Sequence, residues 1–287
     1  IGALVRGDEG LAGNFVRGQA AGDHGLGLSA WANYSVTETD NTFAATRFQS
    51  SQDVFMIGAD IAPFDTLIIG GVFGYESNDV KTVFNAGAQD ISGYTLAAYA
   101  GYLITDFLSV DVAGGFSNID IDQTRIDSTN FTNTIRGDTD SDRLFASANL
   151  NLFTTYGDLA VTGRTGFIVA KEEIDAVIES GGPDAFNSAA RTIEFGQILA
   201  GAEVAWIGEM FEPYASAYYT HEFNRQDVLL NSAQAQPAND AGAFLVGAGV
   251  RFFGGDRWSG SLDWSSEIGR SQMDTYTLSG TIKMQFD

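Results

Sequence analysis

From residue 24 onward the chain alternates apolar and polar residues in short blocks. The last block is the cleanest. Tyr276, Leu278, Gly280, Ile282, Met284 and Phe286 fall on one face, and Thr275, Thr277, Ser279, Thr281, Lys283 and Gln285 on the other. A period of two is that of a β-strand, whose successive side chains point to opposite sides. One such strand also suits a soluble sandwich. A membrane barrel must repeat it in every strand, apolar outward and polar or small inward. The repetition is present. Trp258, Leu262 and Trp264 alternate with Ser259, Ser261, Asp263 and Ser265. Leu144, Ala146, Ala148, Leu150 and Leu152 alternate with Arg143, Ser147, Asn149 and Asn151. Leu108, Val110, Val112, Gly114 and Phe116 alternate with Ser109, Asp111, Ala113 and Ser117. Phe244, Val246, Ala248, Val250 and Phe252 alternate with Gly247, Gly249 and Arg251, and Leu67, Ile69, Phe73 and Tyr75 oppose Gly70 and Gly74. Two blocks, 93–103 and 213–221, mix both faces.

The pattern predicts twelve strands, at 24–36, 50–61, 66–77, 90–104, 107–121, 141–153, 158–171, 192–207, 211–223, 243–253, 258–268 and 273–286. Their connections alternate. Those at 62–65, 105–106, 154–157, 208–210 and 254–257 are short, and those at 78–89, 122–140, 172–191 and 224–242 are long. Outer-membrane barrels have short periplasmic turns and longer extracellular loops. An even strand number then leaves both ends of the barrel chain in the periplasm. The expected fold is all-β, a twelve-stranded antiparallel transmembrane barrel over residues 24–287 in a bacterial outer membrane. Trp206, Phe211, Tyr214, Phe252, Phe253, Trp258 and Phe286 cluster near the predicted periplasmic turns, where an interfacial girdle belongs.

Residues 1–23 do not alternate. Leu4, Val5, Leu11, Phe15 and Val16 are loosely spaced like one helix face, but Gly2, Gly7, Gly10, Gly13 and Gly18 make it a poor helix in free solution. Eight strands leave an interior filled by side chains and sixteen leave a channel, so twelve leave room for about one helix of ~10–12 Å diameter. The expectation is a separate segment held in the lumen. Residues 1–10 lack the basic and apolar regions of a signal peptide.

Composition narrows the classes. Apolar residues are 44% of the chain, yet no run approaches the ~20 that a membrane helix needs. The 34 glycines, 4 prolines and 12% aromatics suit strands and turns. A net charge of −22 repels phosphate backbones and argues against nucleic-acid binding. With no cysteine, disulfides and thiolate metal sites are impossible.

In order and spacing, several blocks resemble the β-domains of autotransporters, the translocators of type V secretion. Trp31-Ala32-Asn33-Tyr34 resembles the family's first strand and Ile57-Gly58-Ala59-Asp60 its second. Gly71 to Glu76 resembles the third, and Ser92-Gly93-Tyr94 through Tyr99-Ala100-Gly101-Tyr102 the fourth. The resemblance runs over nearly the whole chain from Gly25. It implies a twelve-stranded barrel, a lumen segment leading to an N-terminal passenger, and partners in outer-membrane lipid, lipopolysaccharide and the barrel-assembly machinery. It further implies that a terminal outward aromatic is the assembly signal. Here Phe286 takes that part, although Asp287 follows it. The Asn pair at which some members cleave their linker is absent, since Asn14 is followed by Phe15.

Candidate chemistry is sparse, and no enzyme, metal or cofactor is expected. The histidines are His24 and His221. A barrel phospholipase would need a Ser/His/Asn site, but no nucleophile motif accompanies His221, which reads as a girdle or rim residue. Asp138, Asp140 and Asp142 could share a divalent cation, yet the run lacks the Gly and Glu of an EF-hand and reads as a solvated acidic loop. Arg143, Arg164, Arg251, Lys283, Asp111, Glu203, Asp263 and Glu267 are the candidate lumen-lining residues. Across a narrow pore they would pair and brace the wall. Across a wide one they would line a passive diffusion porin, the rival to the translocator.

Overall fold

A computed structural model describes residues 27–224, 240–255 and 257–286, and the expected lumen segment 1–23 and His24 lie outside them. The strands in chain order are β1 (Leu28–Asn41), β2 (Phe48–Phe64), β3 (Leu67–Thr82), β4 (Gly87–Thr105), β5 (Leu108–Ile126), β6 (Thr134–Tyr156) and β7 (Leu159–Ile174). Two short strands follow, β8 (Val177–Ile178) and β9 (Asn187–Ser188). Then come β10 (Arg191–Trp206), β11 (Phe211–Asn224), β12 (Gly242–Gly254), β13 (Trp258–Ile268) and β14 (Met273–Phe286). All except β8 and β9 form one closed antiparallel barrel of twelve strands, each bonded to its neighbours in sequence. The ring closes where β14 returns to β1, from Leu28↔Phe286 to Asn41↔Met273. Closure satisfies every strand edge, the condition for a sheet in lipid.

The outward face is apolar as the alternation requires. Leu144, Leu150 and Leu152 point out of β6, while Arg143, Ser147 and Asn151 between them are buried inside. The two mixed blocks resolve the same way. Tyr94, Leu96 and Tyr102 point outward from β4 with Thr95 and Tyr99 inward. On β11, Tyr219 points outward with Ser216, Tyr218 and Thr220 inward.

Three expectations need correction. First, the strands run further at the long-loop end than alternation suggests. β6 begins at Thr134, so Asp138, Asp140 and Asp142 lie in a strand and not in a loop. There, beyond the apolar belt, the outward face turns polar while Ile119, Ile121 and Ile135 turn inward, so the apolar-outward pattern that marks a strand is lost. Second, the girdle has a different membership. Tyr214 points inward and Phe253 has the inward parity, while an unanticipated belt of outward rings, Tyr34, Phe55, Tyr75, Tyr94, Tyr219, Phe244 and Tyr276, stands nearer the long loops. Within it Tyr94 packs on Phe73 and Tyr75, with ring centroids 5.9 and 5.2 Å apart. Third, the inward face is not everywhere polar or small. Trp31, Val54, Met56, Ile68, Val72, Tyr99 and Ala113 form one buried cluster inside the β1–β5 wall, and Phe145, Ile168 and Ala170 form another. Glycine makes the first possible: a Cβ on Gly58 would overlap the Trp31 indole, and one on Gly70 the Tyr99 ring.

Candidate functional site

The inside of the wall is the candidate site. Near the short-turn end, β1, β2, β4 and β14 converge on Asp60. Its carboxylate accepts from Ser29 Oγ at 2.5 Å, from Tyr99 Oη at 2.9 Å, and from Lys283 Nζ at 3.3 and 3.4 Å. Tyr99 Oη in turn accepts from Trp31 Nε1 at 2.8 Å. Strand alternation aims all of these inward, and the network ties β14 to β2 across the closing strand β1. A buried carboxylate needs such partners, since an isolated charge in a low-dielectric interior is costly.

Farther along the wall, Arg143 is buried between two carboxylates. Its Nη1 donates to Glu76 Oε1 and its Nε to Glu172 Oε2, both at 3.0 Å. Glu76 also accepts from Gln52, and Glu172 from Ser141. Because Glu76 is on β3 and Arg143 on β6, this brace is a chord across β4 and β5. On the other side Arg251 donates to Glu203 and Glu212, each at 2.7 Å, with its guanidinium 4.2 Å from the centre of the Tyr214 ring. Tyr214 bonds Asp263, which also accepts from Ser261. Arg270 joins Glu222 to Glu267 at the long-loop end.

All eight predicted residues fall on the inward parity, but only Arg251 and Glu203 meet each other. Asp111 takes Asn149 and Asn151, each at 2.7 Å, and Arg164 donates to Asn151 at 2.9 Å. Arg143, Lys283, Asp263 and Glu267 are held by residues that sequence reasoning missed: Glu76, Glu172, Asp60, Tyr214 and Arg270. Two of these had a signal. Asp60 shares the parity of Gly58, and Glu76 that of Gly70 and Gly74, so carrying the alternation two residues on would have found both. Glu172 sits between inward Ala170 and Ile174, which hid it, and Tyr214 lies in a block whose two faces are mixed.

On the outer surface beyond the ring belt, carboxylates stand in register. Asp79 pairs with Asp90, Asp90 with Asp122, and Asp122 with Asp138, across β3 to β6. Asp120 faces Asp140 in the next row. Among the described residues no group of three or more His, Asp or Glu side chains is arranged to hold a metal ion. His221 stacks on Tyr219 on the outward face, centroids 6.5 Å apart. Phe286 points outward at the seam, opposite Leu28.

A closed barrel of twelve strands, apolar outside and braced by ions and packed side chains inside, defines a transmembrane barrel of the outer-membrane class. The model of the autotransporter beta-domain matches residues 27–265, and the chain belongs to that family of outer-membrane translocators. No curated protein matches the sequence. Among solved structures, the chain is similar to the translocator domain of the autotransporter NalP from Neisseria meningitidis, with 14% identity, 92% of this chain and 90% of that one covered, and a TM-score of 0.79. It is also similar to the beta domain of the Bordetella autotransporter BrkA, with 14% identity, coverages of 90% and 99%, and a TM-score of 0.70. The transport unit of AIDA-I from Escherichia coli gives 12% identity, coverages of 96% and 98%, and a TM-score of 0.52. Identities this low speak for the fold alone.

Proposed function

We propose that this barrel anchors and translocates a passenger joined to its N-terminal side and catalyses no reaction of its own. The observation that carries this reading is the place where the chain enters. Leu28, the first barrel residue, pairs with Phe286 at the short-turn end, so a preceding segment meets the lumen mouth without crossing lipid. In this reading the short turns face the periplasm and the long loops the outside. Residues 1–23 then form a separate unit threaded through the lumen of the barrel formed by 24–287. Two features of the wall support it. The inward cluster around Trp31 and Tyr99, near that entrance, offers an apolar surface to Leu4, Val5, Leu11, Phe15 and Val16. Inward carboxylates such as Asp111 and Asp263 offer counter-charges to Arg6 and Arg17.

The remaining inward ions, Arg143, Arg164, Arg251, Lys283, Glu203 and Glu267, act as braces that hold the wall's shape. Phe286, outward at the seam, is the residue the barrel-assembly machinery reads. Lipopolysaccharide and lipid surround the apolar belt. Planar-bilayer conductance tests the reading: deleting residues 1–23 should open a pore that the intact protein keeps closed, without unfolding the barrel. An intact protein that already conducts as freely as the truncated one would make this a diffusion porin instead.

A further inference from the structure

The chain leaving β7 at Ile174 does not turn straight back into β10. It continues along the edge of β6, where Arg136 and Ser180 exchange both backbone bonds at 2.9 and 2.8 Å. It pairs with its own return at Val177↔Ser188 and Ile178↔Asn187. Val177 and Glu179 lie against β6 at Gly137, where a Cβ would stand only 2.9 Å from Val177 Cγ1 and 3.3 Å from Glu179 Cγ. At Gly181 the backbone takes φ +109, a conformation that favours glycine, and the next residues cross to the tip of the β5–β6 hairpin. They cover its inward side. Ile135 has inward parity at the outer end of β6, where water would be expected, yet is 1% exposed, with Gly181 against it. Asp127, at the hairpin tip, is fully buried against Gly182.

One side chain gathers these contacts. Arg125, at the end of β5, donates from Nε and Nη2 to the two oxygens of Glu179 at 3.0 and 2.6 Å. From Nη1 it donates to Asp184 Oδ2 at 2.9 Å, and from Nη2 to the Asp184 carbonyl at 2.7 Å. Phe186 lies 5.5 Å from the guanidinium carbon, and its N–H donates to Glu179. The Asp184 carboxylate also accepts from Ser128 N and Oγ. Bidentate, charge-assisted bonds to a planar guanidinium are strong and geometrically demanding. The other links of this segment are one two-residue strand pair, one bridge and a 3.5 Å bond from Gln123 Nε2 to Glu179. The ladders of β5, β6, β7 and β10 close without it.

We propose that residues 177–186 form a strap over the inward side of the barrel mouth at the long-loop end. Arg125 latches the strap, which lifts as a unit while the barrel stays closed. Beyond their shared β6–β7 ladder, the β5–β6 and β7–β10 hairpins are thereby tied again at the mouth through the Arg125 guanidinium, and lifting the strap widens the passage beside them. The latch is local, so its opening is a sub-global event of the kind that exposes a buried side chain without unfolding. The inference holds for a translocator and for a porin alike.

The chain has no cysteine, so a single introduced thiol reports on the strap. Ile135→Cys would be made in the full-length protein, folded in lipid vesicles and treated with a water-soluble maleimide. With Arg125 present the thiol should react slowly. Arg125→Ala should speed the reaction about tenfold or more, and Arg125→Lys, which keeps the charge but loses the fork, should give an intermediate rate. Heat-modifiable mobility on a gel would confirm that the barrel stayed folded. Should Arg125→Ala fail to fold, Glu179→Gln is the deciding variant, with acceleration again expected. Fast labelling in the presence of Arg125 overturns the proposal, because the strap is then already open. Unchanged slow labelling in the folded Arg125→Ala or Glu179→Gln protein overturns it too, because something other than the latch holds the strap.

Discussion

The half-wall β1–β7 and the half-wall β10–β14 share one alternation and one lipid-facing surface, but their inward faces and heights differ. In the first half β4 and β5 have 19 residues and β6 has 23, well past the ~9–11 that cross a bilayer. In the second, β11, β12 and β13 have 14, 13 and 11. The taller half is packed inside by Trp31, Met56, Val72, Tyr99 and Phe145, with the Arg143 brace beside them, and the shorter half by the Arg251 and Arg270 groups. Apolar packing is non-directional and tolerates sliding, whereas ion pairs fix one geometry. The taller half therefore combines an adaptable inner surface with one rigid chord, and beyond the membrane it carries the facing carboxylates and the latch.

The largest effect is expected at the chord. Arg143→Ala leaves Glu76 and Glu172 buried without their cation, a change that typically costs about 3–5 kcal/mol. A urea folding titration into lipid vesicles measures it. A loss below about 1 kcal/mol, the range of exposed pairs, would mean that water reaches the site and that the two halves are equally wet inside. Next comes the lipid face of the taller half. Leu150→Arg should cost about 2–4 kcal/mol near the bilayer midplane, and Asn149→Arg, on the inward side next to Asp111, much less. Equal losses in the same titration would contradict the observed parity of β6.

Those first two predictions show what was legible. The outward face was readable because lipid demands the same thing of every strand, so Leu150 and Phe286 were placed from alternation alone. The inward face was not, because a lumen accepts Trp31 or Tyr99 wherever a glycine across the way makes room. Inward parity of Arg143 could be read, but its pairing with Glu76 depends on the curvature that brings β3 near β6. Strand ends were lost where Asp120, Asp122, Asp138 and Asp140 stand outward beyond the lipid, since that face has no reason to be apolar there and Ile119 and Ile135 turn inward instead.

A smaller effect separates two regions of the taller half by pH. The Arg125 guanidinium and the Phe186 N–H hold Glu179 below its usual range, and Ser128 and then Arg125 hold Asp184 down to about 2. Both folded values are depressed. The stability these groups contribute is complete above their ordinary values near 4 and is lost as pH falls toward 2. A spin label at Phe186→Cys should therefore gain mobility between pH 4 and 2. Asp140 goes the other way. Partial loss of water, and then the Asp120, Asp175 and Asp138 carboxylates, push it up. Its contribution is complete below the ordinary carboxylate value and is lost as pH rises through the raised one, so acid tightens the outer row while it loosens the strap. Hydrogen exchange at the ends of β5 and β6, corrected for intrinsic rate, should rise with pH in this window, and Asp140→Asn should flatten that rise. The smallest effect is at the row itself. Asp122→Asn removes a charge directly opposite both Asp90 and Asp138 and should stabilise by roughly 0.2–1 kcal/mol, read from a shift in the unfolding midpoint.

The register at the seam has a kinetic consequence. Every other ladder of the barrel joins strands adjacent in the chain, so hairpins can form early at little entropic cost. The β1–β14 ladder alone joins the two ends, and a bond such as Asn33 to the Gly280 carbonyl closes a loop of 247 residues. Loop-closure entropy grows only logarithmically with length, so joining ends this distant is not prohibitive. What the unclosed sheet cannot tolerate is lipid against two rows of bare N–H and C=O groups along β1 and β14. The order of events is thereby constrained: either the ring shuts before its edges reach the hydrocarbon, or another strand edge holds β1 and β14 until they find each other.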